Sequence, residues 1–350
     1  MFFSYLFPLL LSFLVTLSLI YLLRPLATKL KLVDIPDHRK NHIGAVPLVG
    51  GLSVYGGVVV VCLLFIPLDL YSLVWLLASF IVVAMGVIDD AITLSSHLRL
   101  LIQFIIAIVI CFGSGLSFEN IGSWIGTGDI HLGGFSYIVT LFCIVGSINA
   151  FNMMDGIDGL AGAMASISLA GFSLLFLLNG DVYGYLLATV FIASVIPYLY
   201  SNLKKSPKKG KIFMGDAGSM LIGLTVAWLA LYGTQTESAS FKPITVLWLI
   251  AIPVMDMVAV MLSRIRRGDS LFKPDKEHLH HILMSKGFSP RKSLFLISLS
   301  SFLFALLGVF GHLLLIPDVV MLGGFIFLLS LYLYLMKGKF YTYTTESYHG

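Results

Sequence analysis

The chain has 350 residues, of which 58% are hydrophobic and 11% charged, against about 25% charged in an ordinary soluble domain; a soluble globular enzyme is excluded. The 22 Lys and Arg exceed the 18 Asp and Glu by only four, too small an excess for the basic footprint of a nucleic-acid binder. Cys62, Cys111 and Cys143 all lie inside apolar runs, so neither a disulfide framework nor a cysteine-based zinc site is expected.

Apolar runs of about 17–25 residues are long enough to cross a bilayer. In chain order eleven are read, at 2–23, 46–66, 71–88, 98–113, 134–154, 160–178, 183–200, 219–233, 243–263, 293–315 and 318–336. Two are short, 98–113 and 219–233, and Arg99 at one end of the former is placed to snorkel to the interface. With the N-terminus outside, the odd-numbered connections hold 21 of the 22 cations and leave Lys242 alone on the other face, an asymmetry that supports the count and the orientation under the positive-inside rule. Met1 to Phe7 carry no charge and Arg24 follows the apolar run, the reverse of a signal peptide, so a retained first helix is expected. The predicted fold is an all-α integral membrane protein of about eleven transmembrane helices, one polytopic domain over 1–350 with its catalytic loops at 24–45, 89–97, 155–159, 201–218 and 264–292. The longest polar stretch, 264–292, has no room for a separate soluble domain.

Carboxylates beside hydrocarbon are costly and mark candidate sites. Asp69, Glu119, Asp129, Asp181, Glu237 and Asp318 lie in short outer connections and are expected to be solvated loop residues. Asp89 and Asp90 end the third run; adjacent helical residues point about 100° apart, so the pair suits two neighbouring ligands better than one. Asn152, Asp155 and Asp158 recur every third residue and share a face if the helix continues. That connection has no Lys or Arg, and an uncompensated acidic turn invites a hard divalent cation held by oxygen. Asp216 opens the eighth run, where its carboxylate could cap the helix and the free N–H groups could take a phosphate. His278, His280 and His281 lie in a loop with eight Lys and Arg, which points to a polyanion rather than to zinc. Asp256, inside the ninth run and about 12 Å deeper than Arg264 if helical, is either a buried strut or part of the site. Oxygen ligands for a hard metal and basic loops for phosphates meet on one face, the pattern of metal-assisted phosphoryl transfer to a substrate with a lipid part.

Gly86-Val87-Ile88-Asp89-Asp90, Asn149 to Leu160, Phe213 to Ser219 and His278-Leu279-His280-His281, in this order, resemble the polyprenyl-phosphate N-acetylhexosamine-1-phosphate transferases. The resemblance runs from Pro47-Leu48-Val49-Gly50-Gly51 through Pro274-Asp275 to the tenth run. The His-Leu-His-His wording, with Ile252 to Met257, is similar to the branch that uses UDP-N-acetylglucosamine and differs from the consecutive histidine triplet of the muramyl-pentapeptide branch. The resemblance implies transfer of N-acetylglucosamine 1-phosphate from UDP-N-acetylglucosamine to undecaprenyl phosphate, releasing UMP, as the first membrane step of a cell-surface polysaccharide of the O-antigen or enterobacterial common antigen type. It implies a bacterial inner membrane location, a periplasmic N-terminus, a cytoplasmic C-terminus and active site, and Mg²⁺ with Mn²⁺ as an alternative. Membrane lipids are expected partners, nucleic acid is not, and a homodimer is left open. Asn152 and Asp216 would bind the metal. Asp89 and Asp90 would lie by the attacking phosphate as base and as metal or electrostatic partner, with Asp155 in the metal or pyrophosphate shell and Asp158 at the uracil ring. His278, His280 and His281, with Arg264 and Arg266, would hold phosphate or sugar, and Lys40 the diphosphate. Lysines 204–211 are expected to set topology and meet anionic lipid. The competing readings are a transferase of the same superfamily with another UDP-sugar or pathway, and a transporter of lipid-linked sugars. A transporter would place its sites near the bilayer midplane, often in repeats, and neither feature is seen.

Overall fold

The computed structural model describes residues 2–36, 44–270 and 277–346. The expected all-helical fold is what forms: each of the eleven apolar runs becomes a helix or, once, a bent pair of helices. Among the described residues nine helices are long and apolar enough to cross a membrane, and ten spans result if the bent pair is one. The run at 46–66 yields a helix of only 16 residues. The chain divides into two compact units, Met1–Glu119 with Leu132–Phe241, and Asn120–His131 with Lys242–Gly350.

The first unit contains α1 (Phe2–Lys29), α2 (Gly50–Phe65), α3 (Leu70–Ile92), α4 (Ser96–Ser114), α5 (Phe135–Met154), α6 (Leu160–Asn179), α7 (Val182–Asn202) and α8 (Gly215–Gln235). A short antiparallel pair, β1 (Val33–Asp34) and β2 (Val46–Pro47), precedes α2. At its centre stands α8, buried almost all round, while α1 and α4 leave Leu, Ile and Phe side chains exposed, as lipid-facing helices do. What lets α8 take three neighbours at backbone distance is its small residues, the usual means of close helix approach in membranes. A Cβ at Gly86 of α3 would fall on the backbone of Ala217, and one at Gly51 of α2 on that of Gly218. Gly223 of α8 has the same relation to Ser147 and Ile148 of α5.

Two of the outer acids expected to be merely solvated are helix caps. Asp69 accepts the Ser72 N–H at 2.9 Å and Asp181 the Gly184 N–H at 2.9 Å, each satisfying an orphan donor of a first helical turn.

The second unit contains α9 (Pro243–Leu249), α10 (Ala251–Arg267), α11 (Leu279–Ser285), α12 (Pro290–Leu313) and α13 (Asp318–Glu346). Here the single span expected at 243–263 is broken: α9 and α10 meet at an 80° bend. Pro253 has no N–H to give to the carbonyl four residues back, where a continuing helix would need it. The break frees α10 to be amphipathic, with Met255, Asp256, Ala259, Val260, Ser263 and Arg264 along one buried stripe. Trp248 anchors the apolar cluster, with ring centroids 6.0 Å from Phe325 and 6.3 Å from Phe304. Asp318, the third outer acid to be corrected, is buried, with Oδ1 2.7 Å from Lys242 Nζ and Oδ2 accepting the Ser123 N–H at 2.9 Å. The one cation expected on the outer face is thus half of an ion pair.

The backbone contact at Gly86 makes a direct prediction. Gly86→Val should destabilise the detergent-solubilised protein by about 1–3 kcal/mol, the usual cost of overpacking, read as a lowered melting temperature. Gly323→Ala, where an added Cβ has nothing within 4 Å, should leave that temperature unchanged.

Candidate active site

In the first unit the acidic residues meet around the N-terminus of α8. The final turn of α3 ends in a left-handed residue, Thr93, at φ 54°. There Asp89, buried, accepts the Leu94 N–H at 2.7 Å through Oδ1 and faces the Arg99 guanidinium at 2.9 Å through Oδ2. Asp90 points elsewhere, as expected of neighbours about 100° apart on a helix. Its Oδ1 accepts the Asp216 N–H at 2.9 Å, and Oδ2 approaches the Ala217 N–H at 3.5 Å. The cap of α8 is therefore Asp90 from α3 and not Asp216, and the N–H groups that could have taken a phosphate are given to a carboxylate. Gly215 makes room for it: its φ is +72°, and a Cβ there would strike Asp90 Oδ2.

Relieved of capping, Asp216 turns toward α5. Its Oδ1 accepts from Asn152 Nδ2 at 2.9 Å, and the same amide donates to Ser219 Oγ at 3.0 Å. Arg99 lies 3.8 Å from Asp216 Oδ2, so one guanidinium serves two carboxylates. The α5 helix stops at Met154, with Asp155 at φ −79° and ψ 49°. Asn152, Asp155 and Asp158 therefore do not share a helical face; a turn closed by Gly159 at φ +82° carries the two acids. Burial pushes the Asp155 carboxyl up to about 7, with the charges of Asp216 and Asp158 adding to the shift.

The acidic turn is also not uncompensated. Lys211, 7% exposed, places Nζ 2.6 Å from Asp158 Oδ2. Asn202, buried at the end of α7, joins the two segments, accepting the Gly159 N–H at 2.6 Å and donating to the Ile212 carbonyl at 2.9 Å. Phe213 and Met214 are tied in turn to the start of α2: Phe213 N–H donates to the Pro47 carbonyl at 2.9 Å, and the Gly50 and Gly51 N–H groups to the carbonyls of Phe213 and Met214 at 2.9 Å each.

In the second unit Asp256 is fully buried and organises the histidine segment. Its Oδ2 lies 2.8 Å from His278 Nδ1, and Oδ1 accepts from the Leu279 N–H at 2.8 Å and the Tyr332 hydroxyl at 3.0 Å. A carboxylate only accepts, so Nδ1 carries the proton in this contact. His280 is 1% exposed and stacks parallel to His278 with centroids 5.7 Å apart. Burial lowers its pKa to about 3, with His281 contributing. His280, expected to hold phosphate or sugar, is instead packed between two rings with its own ring almost wholly covered. His281, half-buried, has its ring centroid 4.2 Å from that of His280. Arg264 is buried and Arg266 exposed. Arg267 pairs with Glu277 and, at 3.0 Å, with Asp269. Lys40 and Pro274-Asp275 lie outside the described residues.

Sequence reasoning passed over Arg99, Asn202, Lys211 and Tyr332. Arg99 is the only cation between the third and fourth runs, and Lys211, last of the lysine run, stands two residues before the motif that opens at Phe213; position was the available signal for both. Nothing marks Tyr332, 76 residues from Asp256 in an apolar span.

The donors around Asp216 suit a hard cation. Asn152 uses its amide N–H in the contacts above, which leaves the carbonyl oxygen, and Asp216 keeps Oδ2 facing Arg99. Among the described residues no group of three or more His, Cys, Asp or Glu gathers as a closed metal site; an ion held here would need water and substrate oxygens to complete its shell.

The chain matches glycosyl transferase family 4 over residues 72–234. It is 40% identical over 326 residues, 93% of this chain and 89% of the relative, to the undecaprenyl-phosphate alpha-N-acetylglucosaminyl 1-phosphate transferase of Yersinia pestis. To the enzyme of that name from Escherichia coli strain K12 it is 40% identical over 331 residues, with the same coverage. To that from Haemophilus influenzae it is 37% identical over 326 residues, 92% of this chain and 91% of the relative. Such identity over nearly the full length of both chains means that the chain belongs to glycosyl transferase family 4, alongside the undecaprenyl-phosphate alpha-N-acetylglucosaminyl 1-phosphate transferases.

Proposed function

We propose that this chain transfers N-acetylglucosamine 1-phosphate from UDP-N-acetylglucosamine to undecaprenyl phosphate, giving undecaprenyl-diphosphate-N-acetylglucosamine and UMP. The observation that carries it is the 40% identity over 93% of the chain to enzymes named for that transfer. An oxygen of the lipid phosphate forms a bond to the β-phosphorus, the bond from that phosphorus to the bridging oxygen breaks, and UMP leaves with that oxygen. The second pKa of a phosphate monoester is about 6, so the nucleophile is already an anion at neutral pH and no protein base is required. That agrees with the commitments of Asp89 to Arg99 and of Asp90 to the α8 N-terminus. These two acids position groups rather than move a proton.

Asn152 and Asp216 would hold the divalent cation, which, when bound, neutralises charge on the pyrophosphate. Arg99, between Asp89 and Asp216, keeps the acids from repelling one another before the substrate arrives. Asp158 takes an N–H or O–H of the nucleotide. His278, oriented by Asp256, offers Nε2 to a phosphate or sugar hydroxyl. The 21 cations in odd-numbered connections support a periplasmic N-terminus and a cytoplasmic active face in a bacterial inner membrane, where a soluble nucleotide and a lipid phosphate can meet. The product fits the first membrane step of a cell-surface polysaccharide of the O-antigen or enterobacterial common antigen type.

The test is an assay of detergent-solubilised protein with radiolabelled UDP-N-acetylglucosamine, undecaprenyl phosphate and Mg²⁺, following UMP and the labelled lipid. Product should form, stop with EDTA and return with excess Mg²⁺; transfer from a different UDP-sugar alone would overturn the donor assignment. Asp216→Asn should lower the rate about 100-fold or more, the range seen when metal-site groups are altered, without lowering the melting temperature. His278→Ala should lower kcat by about 100-fold or more, as loss of a positioned proton-transfer or hydrogen-bonding group does. Near-normal turnover would remove His278 from the site.

A further inference from the structure

Lys211 is a buried cation whose place beside Asp158 is not explained by topology. A lysine is almost never this buried unless it is paired, and its partner is Asp158, 2.6 Å away, with the Phe213 ring centroid 5.3 Å from Nζ. The two segments do not need this pair to hold together. Asn202 already links the Gly159 N–H to the Ile212 carbonyl, Lys211 N–H donates to the Ser206 carbonyl at 3.2 Å, and Phe213 N–H to that of Pro47. What the pair decides is the orientation of the Asp158 carboxylate. Oδ2 is engaged by the ammonium, and Oδ1 has no hydrogen-bond partner among the described residues, on a side chain that is 41% exposed.

We propose that Lys211 is a positioning residue for the nucleotide donor: by engaging one oxygen of Asp158 it aims the other at an N–H or O–H of the donor's nucleoside. A part-exposed carboxylate oxygen suits a base that carries N–H groups, and it repels the phosphate of an isoprenoid lipid. Lys211 therefore acts on donor affinity and not on the lipid acceptor. A methionine at 211 would keep the volume and lose the charge, leaving Asp158 free to rotate. An arginine would restore the pair. The proposal rests on the reading of the chain as a UDP-sugar transferase.

The experiment compares wild type, Lys211→Met, Lys211→Arg, Asp158→Asn and the double variant Lys211→Met/Asp158→Asn, with kcat and KM for each substrate, UMP affinity by calorimetry and the melting temperature. Lys211→Met should raise the KM for UDP-N-acetylglucosamine about tenfold or more, the value of a hydrogen bond to a charged group, with kcat and the KM for undecaprenyl phosphate unchanged. Lys211→Arg should recover most of the loss, and the double variant should be no worse than the weaker single one. Equal losses for both substrates, additive losses in the double variant, or a lowered melting temperature as the only effect would overturn the proposal. UMP affinity separates it from the reading it rests on. If wild type binds UMP but transfers no N-acetylglucosamine 1-phosphate, the transferase reading fails, and a weakened UMP affinity in Lys211→Met still supports the lysine's role while an unaltered one overturns it. Should Lys211→Met not survive extraction, Lys211→Gln takes its place in the same comparisons.

Discussion

The first unit depends on one carboxylate at one helix end. The opening N–H groups of α8 have no partner within the helix, and in a bilayer an unsatisfied backbone donor has no water to turn to. Asp90, delivered by α3, accepts from two of them, and the positive end of the helix dipole favours its charge. The contact is possible only because α3 and α8 touch at backbone distance through Gly86 and Ala217 and because Gly215 has no side chain. It releases Asp216 from capping and turns it toward Asn152, so the close packing of small residues and the orientation of Asp216 have one cause.

The other acids follow the same rule at different depths. A charge taken out of water must be matched by a partner, and Asp89 has Arg99, Asp158 has Lys211, Asp256 has His278 and Tyr332, and Asp318 has Lys242. Asp89, Asp256 and Asp318 have both oxygens engaged, whereas Asp158 is held through Oδ2 alone. Pairing in this protein fixes side-chain orientation as well as relieving desolvation.

Much of this was legible beforehand. The apolar runs located the helices and the four motifs pointed to the family, since each is a property of neighbouring residues. The expectations that failed did so where a local pattern was extended too far. Periodicity put Asn152, Asp155 and Asp158 on one face, but the helix ends at Met154. Run length made one span of 243–263, but Pro253 breaks the backbone ladder there. Adjacency to a lysine run made Lys211 a topology signal, although its ammonium turns inward.

By itself the sequence determined that the chain is an α-helical membrane protein, where its polar loops lie, and which family it resembles, because hydropathy, charge asymmetry and motif spacing are sums over nearby positions. Only the tertiary structure decided which acid caps α8, which cations answer Asp89 and Asp158, and which histidine is a packed neutral ring. Those pairings join residues 126 apart for Asp90 and Asp216, and 53 apart for Asp158 and Lys211. Distances of a few ångströms between residues so far separated are set by how helices pack, and no local pattern along the chain encodes them.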